Sequence, residues 1–272
     1  MRILISTDIE GVAGVVHPEQ TRAGNAEYER ARRWMTREAN AAVAGAFDGG
    51  ATEVRVNDSH GSYRNLLADE LDPRARLVNG KPRTLGMMGG LEADFAGVML
   101  VGFHARAQAK GVLAHTINSS AFARVWLNGQ ELGEAGLYGA LAGEMGVPVV
   151  FASGDDVFAE ETRPLLPHCI FTVTKQATGR HSAISLSPQA SCDAIRAGAR
   201  EAMAAIGKTP PLRLDTPVQA RLQTQTPAHA DLFCQWPALE RVDGVTLQFP
   251  AACVEHAVRT LNCLSAMALT LR

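Results

Sequence analysis

Four short apolar runs, each ending on polar residues or glycine, constrain this chain more than any other feature. They are "RILIST" at 2–7, "EVRVND" at 53–58, "GVMLVG" at 97–102 and "PVVFASG" at 148–154. Each has strand length. Between the first two lies a long helical stretch, "NAEYERARRWMTREANAAVAGAFDGG". In it Ala31, Met35, Ala39, Ala42, Val43 and Phe47 recur at three-to-four spacing, and Gly49-Gly50 stops the helix. A helix-sized segment, "GEAGLYGALAGEMG", precedes the fourth run. Strand, helix, strand at this rhythm predicts an α/β fold, a mainly parallel sheet flanked by helices.

The segment "ARVWLNG" at 123–129 alternates, with a turn signal at Asn128-Gly129, and reads as an antiparallel hairpin arm. After "SLSP" at 185–188 the texture changes. A helix through "QASCDAIRAGAREAMAAIG" and the Pro-rich "KTPPLRLDTP" lead into alternating "VQARLQT". A short helix around "HADLFCQW", the strand "GVTLQFP" and a final helix complete the chain. The expected organisation is a main α/β domain over 1–190 and a smaller C-terminal α+β lobe over 191–272.

Composition narrows the function classes. A formal net charge of −2 gives no reason to expect nucleic acid or an anionic membrane surface as partner. No apolar run reaches the roughly 18 to 20 residues a bilayer requires, and "RILIS" is too short for a secretory signal. Five cysteines with no CxxC pair argue against a disulfide framework or a zinc ribbon. The cytoplasm is the expected compartment. There is no GxGxxG, Walker loop, GxSxG or HExxH, which removes the commonest nucleotide, serine-hydrolase and zincin readings.

In open parallel sheets, functional residues collect at the carboxyl ends of strands. After the first strand come Asp8 and Glu10; after the second, "NDSH" delivers Asp58 and His60; after the third, "GFHAR" supplies His104. Two acids in "DIEG" repel unless a cation sits between them. Each alone is explained by a solvated strand end, and each histidine alone by a surface or core role. Together they form a carboxylate–imidazole set that suits zinc better than magnesium or calcium. Gly11 is expected to let the chain turn sharply beside the acids. His115 in "GVLAHTINSS" and Glu134 in "GEAGL" are further candidates. A core histidine and a helix-dipole acid explain those two equally well. "GDD" at 154–156 reads as helix-capping, and Lys175, Gln176 and Arg180 as material for a pocket wall.

Eight segments in order, "STDIEGVAG", "YERARRWMTREANAA", "EVRVNDSHG", "LVGFHARA", "GVLAHTI", "LNGQELGEAGL", "VPVVFASGDD" and "TKQATGR", resemble the D-aminopeptidases of metallopeptidase family M55. The likeness runs to about residue 190 and continues more weakly beyond. It implies two Zn2+ per subunit, held by Asp8, Glu10, His60, His104 and Glu134. Asp8 bridges, Glu10 and His104 complete one ion, and His60 and Glu134 the other. It implies His115 as the catalytic residue, described in the family as a nucleophile. An acid or oxyanion-stabilising role is the more economical reading, because a zinc-bound hydroxide is already a competent attacker. The implied substrate is a short peptide with an N-terminal D-amino acid of the D-Ala type, and the implied assembly a homo-oligomer, a decamer. Two other readings remain open: a dinuclear amidase or phosphoesterase, and a non-catalytic, metal-stabilised peptide-binding protein.

Overall fold

Every residue of β1 (Arg2–Thr7) after the first is buried, as a strand covered on both faces must be. In this computed structural model, which describes residues 1–271, β1 lies in the interior of a seven-stranded sheet. In chain order the remaining elements are α1 (Ala26–Asp48), β2 (Glu53–Asp58), β3 (Ala75–Val78), β4 (Gly97–Phe103), β5 (Phe122–Leu127), β6 (Gln130–Glu131) and α2 (Glu134–Glu144). Then follow β7 (Val149–Asp155), α3 (Asp156–Thr162), β8 (Ile170–Gly179), β9 (Ser182–Ser185) and α4 (Pro188–Met203). The last are β10 (Val218–Thr224), α5 (Pro227–Phe233), β11 (Glu240–Arg241), β12 (Thr246–Ala251) and α6 (Val254–Met267).

The large sheet has the order β3-β2-β1-β4-β7-β8-β9, parallel except for the β8–β9 hairpin. The α/β architecture expected from the strand rhythm is therefore the one observed. A second, antiparallel sheet runs β11-β12-β10-β5-β6. It joins the 123–129 arm to strands near the chain's end. The Asn128-Gly129 turn is there, with both residues at positive φ (51° and 80°), as a tight hairpin needs.

The period of two along β1 sorts its side chains between two cores. Ile3 and Ile5 face the layer of α1 and α4, while Leu4 faces α2 and the second sheet. All three are wholly buried, each worth about 1.5–3 kcal/mol relative to exposure. Helix α2 is buried along its whole length from Glu134 to Gly143, as a helix apolar on every side must be. Among the described residues no helix is long and apolar enough to cross a membrane.

The elements β3, β8, β9 and β11 have no counterpart in the sequence reading. Strand β8, "IFTVTKQATG", carries polar residues at half its positions and offers no apolar run to mark it. From β1 the chain goes to β2 and β3 on one side, then crosses to β4 on the other. The carboxyl ends of β1 and β4 thus flank a switch point, where open α/β sheets bind ligands.

Candidate metal centre

The loops after β1 and β4 meet closely enough to share ligands. The Asp8 amide donates to the Val101 carbonyl at 2.8 Å and the Gly11 amide to the Gly102 carbonyl at 2.7 Å. A Cβ at Gly11 would lie 1.9 Å from the Phe103 carbonyl oxygen. Gly11 is therefore required by this contact and not by a sharp turn. Its φ is not positive, whereas that of Gly102 opposite is +71°.

This contact sets Asp8 beside His104. Asp8, Glu10 and His104 are 3%, 4% and 2% exposed, a set of charges no unpartnered core accepts. Asp8 uses its two oxygens on opposite sides. Oδ1 lies 3.2 Å from His60 Nδ1, and Oδ2 lies 3.4 Å from His104 Nε2. His60 Nδ1 is also 3.1 Å from Glu10 Oε2, and His104 Nε2 is 3.5 Å from Glu134 Oε1. Glu134 opens α2, and its Oε1 accepts from the Ile117 amide at 2.6 Å. His115 completes the group. Its ring stacks on His104 with centroids 4.1 Å apart, and its Nε2 is 3.8 Å from Glu134 Oε1. All six residues singled out in the sequence come together.

Backbone carbonyls fix which nitrogen each imidazole presents. His60 Nε2–H donates to Thr21 O at 2.8 Å, His104 Nδ1–H to Ala105 O at 2.9 Å and His115 Nδ1–H to Leu113 O at 3.0 Å. The other nitrogen of each ring is left for the cluster, the usual outer arrangement of a metal-ligating histidine. Nothing in the sequence signals these carbonyls.

Without a cation the cluster neutralises itself with protons. Burial opposes a charge on His104, but the Glu134 and Asp8 carboxylates outweigh it and hold the imidazolium up at about 10. Burial likewise opposes charge on His60, and Glu10 and Asp8 raise it well above its ordinary value. Burial pushes Asp8 up, yet the two histidines bring it well below the carboxylate range. Burial raises Glu134 against the pull of His104 and His115.

The residues fit a zinc-like cation. Glu10 Oε2 and His104 Nε2 are fully buried and have no hydrogen-bond partner, although both point into the cluster. Donor atoms of Asp8, Glu10 and His104 lie within 4.8 Å of one another, as do those of His104, His115 and Glu134. Mixed carboxylate and imidazole donors at this spacing match zinc or a related transition ion.

Asp58 behaves otherwise. Its carboxylate accepts from the amides of Asn65 and Leu66 (2.5 and 2.7 Å) and from Asn65 Nδ2, shaping the loop that holds His60. Asp155 caps α3 as expected, but its second oxygen accepts from Val112 N at 2.6 Å, on the way to His115. Lys175 lies beneath the β1 loop, buried, and not on a pocket wall. Gln176 is exposed, and Arg180 donates to Ala114 O at 2.6 Å.

The sequence profile of the D-aminopeptidase family M55 matches residues 1–263. The chain belongs to that family. This M55 chain is 38% identical over 188 residues to a D-aminopeptidase of Bacillus subtilis (strain 168), covering 69% of this chain and 68% of that one. It superposes on a Bacillus subtilis structure described as the Zn-dependent D-aminopeptidase DppA, a self-compartmentalizing protease. That match has a TM-score of 0.96 at 31% identity and covers 99% of this chain and 98% of the other. The M55 fold is thus shared end to end, second sheet included.

Proposed function

We propose that the chain is a zinc-dependent D-aminopeptidase holding two zinc ions per subunit and releasing N-terminal D-residues of the D-Ala type from short peptides. The observation that supports this best is the cluster of three buried carboxylates with buried His104 and half-buried His60, in which two donor atoms are orphaned. In this reading Asp8, Glu10, His60, His104 and Glu134 would hold the two ions between them, and the 4.8 Å grouping of Asp8, Glu10 and His104 supports a shared role for those three. When bound, zinc polarises a carbonyl oxygen and makes water a stronger acid.

The chain's own groups do the rest. Thr21 O and Ala105 O keep the ligand tautomers of His60 and His104, and Ile117 N orients Glu134. His115, with 19% of its side chain exposed, is the cluster member most open to a substrate. Its Nδ1–H is committed to Leu113 O, so Nε2 carries or delivers a proton at the leaving amine or donates to the developing oxyanion. Preference for D-residues is carried over from the relatives, as is assembly into a homo-oligomer, a decamer in this reading. Light scattering on the purified protein reads the subunit number.

The deciding measurement is initial rates on D-Ala-D-Ala and L-Ala-L-Ala, with zinc-reconstituted and chelator-treated protein. The D-peptide should be cleaved faster, only with metal, and with close to two zincs per chain. Preference for the L-peptide, or turnover that survives chelation, would refute the reading.

A further inference from the structure

Strands β7 and β8 reach the two loops of the centre from below, through buried charged side chains. Their register slips by one residue, Gly154 pairing with Val173 but Asp155 with Lys175. Thr174 is the extra residue of this bulge. A bulge re-aims side chains, and here Thr174 and Lys175, consecutive in sequence, are both buried and both hydrogen-bond the loop after β1.

Lys175 Nζ, 2% exposed as a residue, donates to the carbonyl oxygens of Glu10 (2.6 Å), Val12 (2.8 Å) and Val15. Thr174 Oγ1 donates to Gly11 O at 2.7 Å. From the far side Glu38 Oε1 accepts from Ala13 N at 3.0 Å. Five backbone groups between Glu10 and Val15 are thereby tied to buried side chains. An ammonium with three carbonyl acceptors is fully satisfied, and its charge strengthens each bond.

Asp155, paired with Lys175 across the strands and 1% exposed, serves the other loop. Its Oδ2 accepts from Val112 N, and a Cβ at Gly111 would lie 3.0 Å from that oxygen. The segment it holds carries Leu113 and Ile117 at φ of 54° and 59°, a left-handed backbone that side-chain-bearing residues adopt only under constraint. His115 lies between them.

We propose that Lys175 and Asp155 are positioning residues acting on separate parts of the site: Lys175, helped by Thr174, sets the backbone that presents Glu10 to the metal, and Asp155 sets the loop that presents His115. This rests on the assignment of Glu10 and His115 above. It goes further by separating metal retention from turnover on two neighbouring strands.

The test compares Lys175→Met, Thr174→Val and Asp155→Asn with the wild type. Zinc affinity is read by chelator competition, kcat and KM at saturating zinc, and amide hydrogen exchange over residues 10–16 and 111–117. Lys175→Met should weaken zinc by about 10- to 100-fold, as loss of an outer support does. Thr174→Val, nearly isosteric, should weaken it less and keeps the question answerable if Lys175→Met fails to fold. Asp155→Asn should retain zinc while kcat drops by about 10- to 100-fold with KM little changed, the effect of a small misplacement. Exchange should quicken at 10–16 in the first two variants and at 111–117 in the third. Lower melting temperatures with zinc affinity, kcat and local exchange all unchanged would overturn the proposal. Should the wild type itself neither hold zinc nor cleave D-peptides, the functional reading fails, and segment-specific exchange alone then upholds or overturns the clamp.

Discussion

Substituting Gly11→Ala pushes a methyl into the backbone of the neighbouring loop and so tests the β1–β4 contact directly. The new Cβ would meet Phe103 O at 1.9 Å and the carbonyl carbon and oxygen of Gly102 at 2.4 and 2.6 Å. All are backbone atoms, so no rotamer relieves them. Parting the loops from 1.9 Å to the 3.0 Å minimum means a shift of 1.1 Å. Overpacking of this kind costs about 1–3 kcal/mol, and the Gly11 N–H to Gly102 O bond, 2.7 Å, adds about 1 kcal/mol when broken. At about 2–4 °C per kcal/mol for a large domain, the melting temperature should fall by on the order of 5–15 °C. Asp8 and Glu10 stand on one loop and His104 on the other, so the shift also exceeds the roughly 0.2 Å that a metal site tolerates. Calorimetric melts and zinc titration of the variant check both effects, with Gly244→Ala, whose Cβ meets nothing within 4 Å, as control. If Gly11→Ala melts and binds zinc like the control, the account of this contact is wrong.

Three more outcomes are expected. His115→Ala should leave zinc content intact while kcat falls by about 10²- to 10⁴-fold; loss of metal in that variant would make His115 a ligand. For metal-free protein, the raised His104 contributes stability that is full below its ordinary 6.5 and fades as pH rises through about 10. The depressed Asp8 contributes stability present above 3.8 and lost in acid. Zinc must displace the His104 proton, so calorimetry in buffers of different ionisation enthalpy should show proton release, with affinity climbing between pH 6.5 and about 10; a pH-independent affinity would contradict this. Asp58→Asn leaves one oxygen for the amides of Asn65 and Leu66, which share Oδ2, but sets its own amide nitrogen against Asn65 Nδ2, and should cost about 1–3 kcal/mol in a denaturant melt. A change under 0.5 kcal/mol would show that the bonds do not hold the His60 loop.

Local pattern carried the sequence reading a long way. Apolar runs of strand length placed β1, β2, β4 and β7 within a residue or so, because burial on both faces is written into consecutive side chains. The ends of those runs named Asp8, Glu10, His60 and His104, and His115 and Glu134, open candidates on their residues alone, took their roles from the resemblance to family M55. Strand β8 escaped notice because Lys175, Thr174 and Gln176 make it look like a loop, and its bulge follows from pairing with β7. Asp58 stands at the same strand end as His60, but the amides of Asn65 and Leu66, seven and eight residues on, claim its carboxylate.

By itself the sequence determined which residues stand at strand ends, since spacing and polarity are local properties. Only the tertiary structure decided that β1 neighbours β4, so that one Asp8 oxygen faces His60 and the other His104. It also decided that the buried α2 delivers Glu134 to His104, and that Gly11 serves close packing. Those outcomes depend on contacts between segments far apart in the chain, and no local window contains both partners.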